Sequence, residues 1–271
     1  MERGRHDRAT IALGLAMFLV ILYAVAWYVV GRDRFWFPPL ASLEGGEIDR
    51  RHWITLWSVT VGFVVVHAIL GYALLRFRSG VPGRAAYLPD HRGLEALYTA
   101  VPAVVFIGLS VGGILLWERL WRPAPPDALV VEVRAEQFAW SARYPGPDGK
   151  LGRVDPRIPR PFNVDPDDPA SRDDFTSPEV VLVVNRSARI LLRSKDVIHS
   201  FFVPHFRLKL DAVPGRTDEL LLTPTRLGTY DFACAELCGV GHYIMRGRVR
   251  VVTQEEFDAW AAQQTRAQQG R

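Results

Sequence analysis

Sulfur is scarce in this chain: 271 residues hold two cysteines and three methionines. So poor a chain has little reason to place both thiols side by side unless they act together. A basic excess is missing from the second half. From Pro123 onward 20 Lys/Arg meet 20 Asp/Glu, so the formal charge of +4 and the pI near 9.3 come entirely from the N-terminal part. A nucleic-acid binder would carry clustered cations in its folded domain, so that class is excluded. Charge of either sign is absent from three long segments, Thr10–Val30, Ile54–Leu75 and Ala96–Trp117. Each exceeds the ~20 residues that cross a bilayer core as a helix.

The first apolar segment has two readings. Arg3, Arg5 and Arg8 precede it and Ala24-Val-Ala26 resembles a cleavage site, as in a signal peptide. The run continues through Trp27–Val30, past that site, which favours a retained span. Arginines flank every span: Arg32, Arg34, Arg50 and Arg51 in the first loop, Arg76, Arg78, Arg84 and Arg92 in the second. The positive-inside rule therefore sets no orientation. The working topology has the N-terminus inside and the C-terminal part outside. The expected organisation is residues 1–53 as an extra helix (or signal) and external loop, 54–122 as a membrane hairpin, and 123–271 as an external domain.

After the proline-rich stretch Trp121–Pro126, short β-branched runs begin: Leu129–Arg134, Gln137–Arg143, Val180–Val184, Ile190–Arg193, Val197–Val203, Glu219–Leu222, Thr229–Ala233 and Gly247–Val252. Period-two runs parted by Gly, Pro and Asp clusters predict an all-β sandwich or barrel. Tyr144–Asp174 holds seven prolines and three glycines and reads as a long surface loop. Thr253-Gln-Glu-Glu256 predicts a capping box opening a short helix through Trp260 and Ala262, with a frayed end at Gln-Gln-Gly-Arg271.

Between two of those strands lies Cys234-Ala-Glu236-Leu-Cys238-Gly-Val-Gly-His242-Tyr-Ile-Met245. Thiolate, thioether and imidazole donors suit copper or zinc. Gly239 and Gly241 permit the tight backbone that wraps a metal. A second imidazole is expected from His199 or its rival His205. Zinc on two Cys and two His leaves Met245 idle, and a single copper on His, Cys and Met leaves one thiol over. Two coppers bridged by both thiolates use every donor. A disulfide is the remaining alternative in an external domain.

At these residues the chain resembles subunit II of cytochrome c oxidase, of the bacterial kind, and its extra N-terminal apolar helix and the Pro/Asp-rich insertion around Tyr144–Asp174 resemble the alternative-type members. The family pattern Cys-x-Glu-x-Cys-x3-His-x2-Met is met in full. Asp196-Val-Ile-His199-Ser matches the upstream histidine motif, Asp211–Arg216 a further one, and Leu94-Glu95-Ala-Leu-Tyr-Thr99-x2-Pro102 the start of the second span of the family's hairpin. The resemblance, from about Ile54 to Trp260, implies membrane helices followed by a cupredoxin-like Greek-key β-sandwich. It implies a dinuclear copper centre, CuA, held by His199, Cys234, Cys238, His242 and Met245 and by the backbone carbonyl of Glu236. The carboxylate of Glu236 would reach a Mg or Mn ion at subunit I. His205 has no ligand role in the pattern.

The resemblance further implies electron acceptance from cytochrome c and delivery to haem in subunit I, in a bacterial cell membrane, for reduction of oxygen. The chain has no haem-ligand set of its own, so the oxygen chemistry belongs to subunit I. The closest alternative is the copper subunit of a nitric oxide reductase; a quinol oxidase subunit would lack the copper ligands, and a copper-delivery protein would not need three spans. Glu95 matches a glutamate at a proton path, or is a helix-start carboxylate. Asp211 matches a residue at the subunit interface, or is a turn aspartate. Where the family has Gln-Trp-x-Trp for receiving electrons, this chain has Gln137-Phe138-Ala139-Trp140. The acid-rich stretch Asp165–Asp174 suits a basic cytochrome or is a solvated loop.

Overall fold

In the computed structural model, which describes residues 2–35, 37–78, 83, 87, 90–155, 157–158 and 161–269, four α-helices and ten β-strands follow one another along the chain. The helices are α1 (Glu2–Phe35), α2 (Leu43–Arg76), α3 (Arg92–Leu120) and α4 (Gln254–Gln269). Arg84 of the second loop and the final Gly270–Arg271 lie outside the described residues, as do the side chains of Arg3, Arg5, Arg32 and Arg34. Two units form: residues 1–36 with 50–115, and 37–49 with 116–271.

In the first unit, α1, α2 and α3 are each long and apolar enough to cross a membrane. Their large apolar side chains are mostly exposed, as on a surface made for lipid. Polar groups inside the spans are satisfied locally: His67 Nδ1 lies 2.9 Å from Phe63 O, and Ser58 Oγ donates to Ile54 O at 2.8 Å. Small residues let α1 and α2 meet, with Leu75 over Gly14 and Phe18 over Gly71. Tyr28 packs edge-on to Trp53 and Trp57.

The loop expected through residue 53 is shorter, because α2 is already helical at Leu43. Ser42 caps it, its Oγ accepting the Gly45 N–H at 3.0 Å, and contacts with the β-domain add to the cap despite the two glycines behind it. The 37–49 segment belongs to the β-domain. Ala41 N donates to His205 O, Thr225 N to Ala41 O and Leu43 N to Thr223 O, each at 2.9 Å. Glu44 accepts Thr223 N, and Arg207 pairs with Asp49 at 2.9 Å.

The second unit is a two-sheet sandwich. The strands are β1 (Leu129–Glu136), β2 (Ala139–Tyr144), β3 (Phe175–Ser177), β4 (Val180–Val183), β5 (Ala188–Ser194), β6 (His199–Val203), β7 (Leu208–Ala212), β8 (Asp218–Leu222), β9 (Gly228–Cys234) and β10 (Arg246–Val252). One sheet runs β3-β2-β1-β5-β8 and the other β4-β10-β9-β6-β7. Both sheets are mixed, β1–β5 and β10–β4 being the parallel pairs. Inward residues alternate along each strand, Val131, Val133 and Ala135 from β1 meeting Phe201, Phe232 and Val249 from the second sheet in one core.

Three expectations are corrected. β3 and β7 appear where no strand was expected. β6 begins at His199, because Asp196 and Val197 form a turn. α4 continues to Gln269; its capping box is reciprocal, Glu256 N donating to Thr253 Oγ1 and Thr253 N to Glu256 Oε2. The Pro-rich stretch after β2 is irregular but anchored, for Phe162 is buried under the guanidinium groups of Arg134 and Arg143.

Candidate metal centre

At one end of the sandwich, β6 begins with His199, β9 ends with Cys234 and β10 follows directly on Met245. The β9–β10 connection carries Cys238 and His242 across the gap, with a short 3-10 turn at His242–Ile244. Sheet pairing therefore brings His199 to the loop, since Phe201 on β6 is the register partner of Cys234.

The donors converge. Cys234 Sγ and Cys238 Sγ are 3.8 Å apart, and both thiols are free. His199 Nδ1 lies 3.9 Å from Cys234 Sγ, and His242 Nδ1 lies 3.6 Å from Cys238 Sγ. Met245 Sδ stands 3.7 Å from Cys238 Sγ, while the Glu236 carbonyl oxygen is 3.1 Å from Cys234 Sγ. The donor atoms of His199, Cys234 and Cys238 all lie within 4.8 Å of one another. The disulfide alternative is absent from this geometry, because a bond would need the sulfurs near 2.05 Å.

Burial shapes the chemistry. His199 is fully buried and Met245 is 1% exposed, so the thioether is held dry and turned toward sulfur. Burial, reinforced by the Cys234 sulfur, pushes the Cys238 thiol up to about 11. Two thiols this close resist losing both protons unless a cation takes their place, which is what a soft metal does.

A second ring of contacts fixes the donors. Asp196 Oδ1 sits 2.8 Å from His199 Nε2, leaving Nδ1 to face the thiols. Gln137 spans the site, its backbone N donating to Asp196 Oδ2 at 2.7 Å and its Nε2 to Cys238 O at 2.6 Å. Burial opposes ionisation of Asp196, but bonds from Gln137 N, His199 and Val197 N hold it below the usual carboxylate range. Phe138 packs across the loop, where a Cβ on Gly241 would enter its ring. Gly239 has φ +127, a conformation that L side chains rarely adopt. Sequence reading assigned no role to Gln137 and Asp196, although Asp196 lay inside the quoted histidine motif.

The other expected residues are dispersed. His205 is away from the donors, beside Tyr230 at 5.1 Å, with its Nδ1 buried and unbonded. Trp140 is interior rather than superficial, edge-on to His199 at 6.1 Å and to Phe232 at 5.3 Å. Asp211 pairs with Lys209 at 2.6 Å. Glu95 is exposed on the first turn of α3, and the Glu236 side chain is also exposed. Much of the acid-rich stretch is already paired: Asp165 binds Arg153 and Asp168 accepts Arg153 N at the surface, and Asp174 binds the buried Arg143.

The chain is similar to known proteins over most of its length. A family model described as cytochrome c oxidase subunit II, periplasmic domain, matches residues 129–252. The alternative cytochrome c oxidase subunit 2 of Bradyrhizobium diazoefficiens is 35% identical over 258 residues, 93% of this chain and 92% of the relative. Cytochrome c oxidase subunit 2 of Thermostichus vulcanus is 28% identical over 282 residues, 94% of this chain and 84% of the relative. Among solved structures, the periplasmic domain of subunit II of cytochrome oxidase of Bradyrhizobium japonicum is 31% identical, with a TM-score of 0.41, covering 54% of this chain and 99% of that one. Apolar helices ahead of a cupredoxin-like β-domain, and a full-length relative at 35% identity, place the chain in the cytochrome c oxidase subunit II family.

Proposed function

We propose that this subunit of a haem-copper oxidase receives electrons from a c-type cytochrome at a dinuclear copper centre and hands them to haem in subunit I, where oxygen is reduced. The observation that carries this reading is the convergence of two imidazoles, one thioether and one carbonyl around two thiols 3.8 Å apart. The chemistry of the set fits the group: zinc would leave the buried, sulfur-facing Met245 without a purpose, and one copper would leave a thiol over.

His199, Cys234, Cys238, His242, Met245 and the Glu236 carbonyl would hold the metals. When bound, a copper pair would supply a one-electron carrier. The chain's own residues keep its surroundings constant. Asp196 retains the His199 Nε2 proton, Gln137 clamps the Cys238 carbonyl, and three β-strands hold the ends of the loop. Donors held rigidly, with His199, Cys234, Cys238 and Met245 buried, change little between oxidation states, and transfer is fast when little must reorganise.

Phe138 offers the apolar contact where electrons arrive, and Trp140, against His199, the aromatic behind it. Glu236, with its side chain exposed, would present a carboxylate to a Mg or Mn ion shared with subunit I. Asp211 would contribute to the same interface, and Glu95 would serve a proton path. The three helices would anchor the subunit in the bacterial cell membrane, with the β-domain on the external side.

The deciding experiment is electron paramagnetic resonance on the detergent-purified full-length chain loaded with copper. Hyperfine structure from one electron shared equally by two coppers is expected. A mononuclear copper signal, or a colourless zinc-loaded protein, would overturn the proposal. Oxygen against nitric oxide turnover by the assembled complex identifies the terminal acceptor.

A further inference from the structure

A second feature of the β-domain lies on the outer face of the first sheet. There a cleft of about 920 Å³ opens between strands β1 and β5 and the irregular stretch that follows β2. Its walls include Glu132 and Arg134 of β1, Arg193 of β5, and Phe162 and Asn163. These strand positions alternate with the core residues Val131, Val133 and Leu192, so the same pleat that fills the sandwich aims charged side chains into the cleft.

Pairing the charges leaves a remainder. Arg143 is bound by Glu132 and Asp174, Lys195 by Glu136, and Arg216 by Asp218. Among the described residues Arg193 reaches only the other oxygen of Glu132, at 3.4 Å, and its buried Nε finds no hydrogen-bond acceptor there. Arg134 has no carboxylate partner among the described residues. Its one side-chain hydrogen bond is from Nη1 to Asn163 Oδ1 at 3.3 Å, and its guanidinium lies 5.7 Å from the Phe162 ring centroid. Yet Arg134 is only 8% exposed.

Register makes the imbalance local. β1 and β5 run parallel with Arg134 directly opposite Arg193, so two guanidinium-bearing chains stand side by side on one face. Like charges opposite one another in a sheet repel, and a buried cation without a counter-charge is costly. Neighbouring guanidinium forks are well suited to clasp the oxygens of one anion. Ser141, the partner of Arg134 on β2, adds a hydroxyl to the same wall.

We propose that this cleft binds a small oxyanion, phosphate or carboxylate, between the guanidinium groups of Arg134 and Arg193. The site is independent of the metal centre and of the electron-transfer role. It adds a soluble anion to the ligands of this subunit.

The test uses the detergent-purified full-length chain and three probes at matched ionic strength: inorganic phosphate, succinate and chloride. Calorimetric titration should show saturable one-to-one binding of phosphate, of succinate or of both, and the arm that binds identifies the class. The thermal midpoint should rise with the logarithm of the concentration of that anion. Arg134→Met and Arg193→Gln should each weaken binding about tenfold or more, since each removes charge-assisted hydrogen bonds. Circular dichroism should be unchanged. Arg193 is partly exposed, so its variant supplies the readout if Arg134→Met does not fold. The proposal fails if neither oxyanion binds, if both variants bind as the parent does, or if chloride has the same effect.

Discussion

Asp196 and His199 form a carboxylate–imidazole pair, Oδ1 to Nε2 at 2.8 Å, whose other side is the Nδ1 that faces Cys234 at 3.9 Å. The second oxygen of the same carboxylate accepts the backbone N–H of Gln137. One side chain therefore sets the tautomer of a donor and ties the β1–β2 turn to it. Asn at this position has a single acceptor oxygen and cannot serve both partners. Asp196→Asn should lower copper affinity about 10- to 100-fold, as loss of an outer-shell partner does. Competition with a copper chelator measures it, and equal retention by parent and variant would count against the pair.

Phe138 and Gly241 are coupled sterically, because a Cβ on Gly241 would lie within the Phe138 ring. Gly241→Ala should destabilise the β-domain by about 1–3 kcal/mol, the usual cost of overpacking. Adding Phe138→Ala should recover part of that loss. Thermal unfolding of the two single variants and the double variant gives the coupling, and strictly additive losses would contradict the contact.

The Glu132–Arg143–Asp174 cluster is buried, with side-chain exposures of 2%, 2% and 5%. Arg143→Met would leave Asp174 without its cation and Glu132 with only the 3.4 Å contact to Arg193, and should cost about 3–5 kcal/mol. Removing Arg157 from its exposed pair with Asp155 should leave the midpoint unchanged. Similar effects from the two substitutions would mean that the buried cluster is not the anchor it resembles.

His205 supplies a pH dependence. Burial, and then the nearby Arg207 charge, lower its pKa below the usual 6.5. Its Nδ1 is enclosed and faces no acceptor, so a proton there would go unpaired. A histidine with a depressed folded pKa binds fewer protons folded than unfolded below pH 6.5. Its contribution to stability is therefore full above 6.5 and declines as pH falls through the folded value. The thermal midpoint should fall on acidification from pH 7 to pH 5, and His205→Phe should flatten that slope. An unchanged slope would remove His205 as its source.

The donor loop was legible because its donors are sequence neighbours, so spacing from Cys234 to Met245 nearly is geometry. His199 was legible through its motif but not by spacing alone, where His205 competed with it. The strand pairing that places Phe201 opposite Cys234 is what separates the two in space. The Gln137 clasp could not be read, since its partners lie 59 and 101 residues away and no periodicity links them. β3 and β7 were missed because three and five residues carry too little alternation. The early start of α2 was hidden by Gly45 and Gly46, although Ser42 was a visible capping signal.

The stitching of residues 37–49 to the β-domain also orders events in time. Ser42 Oγ donates to Phe206 O, 164 residues later, and Glu44 accepts from Thr223 N, 179 residues later. At a synthesis rate of roughly 5–20 residues per second, these partners emerge on the order of 10–40 s after the segment that needs them. Until then its backbone groups are paired with water. Docking of this segment is therefore a late folding step, one that cannot close before the chain has been made through Thr225, past β7 and β8.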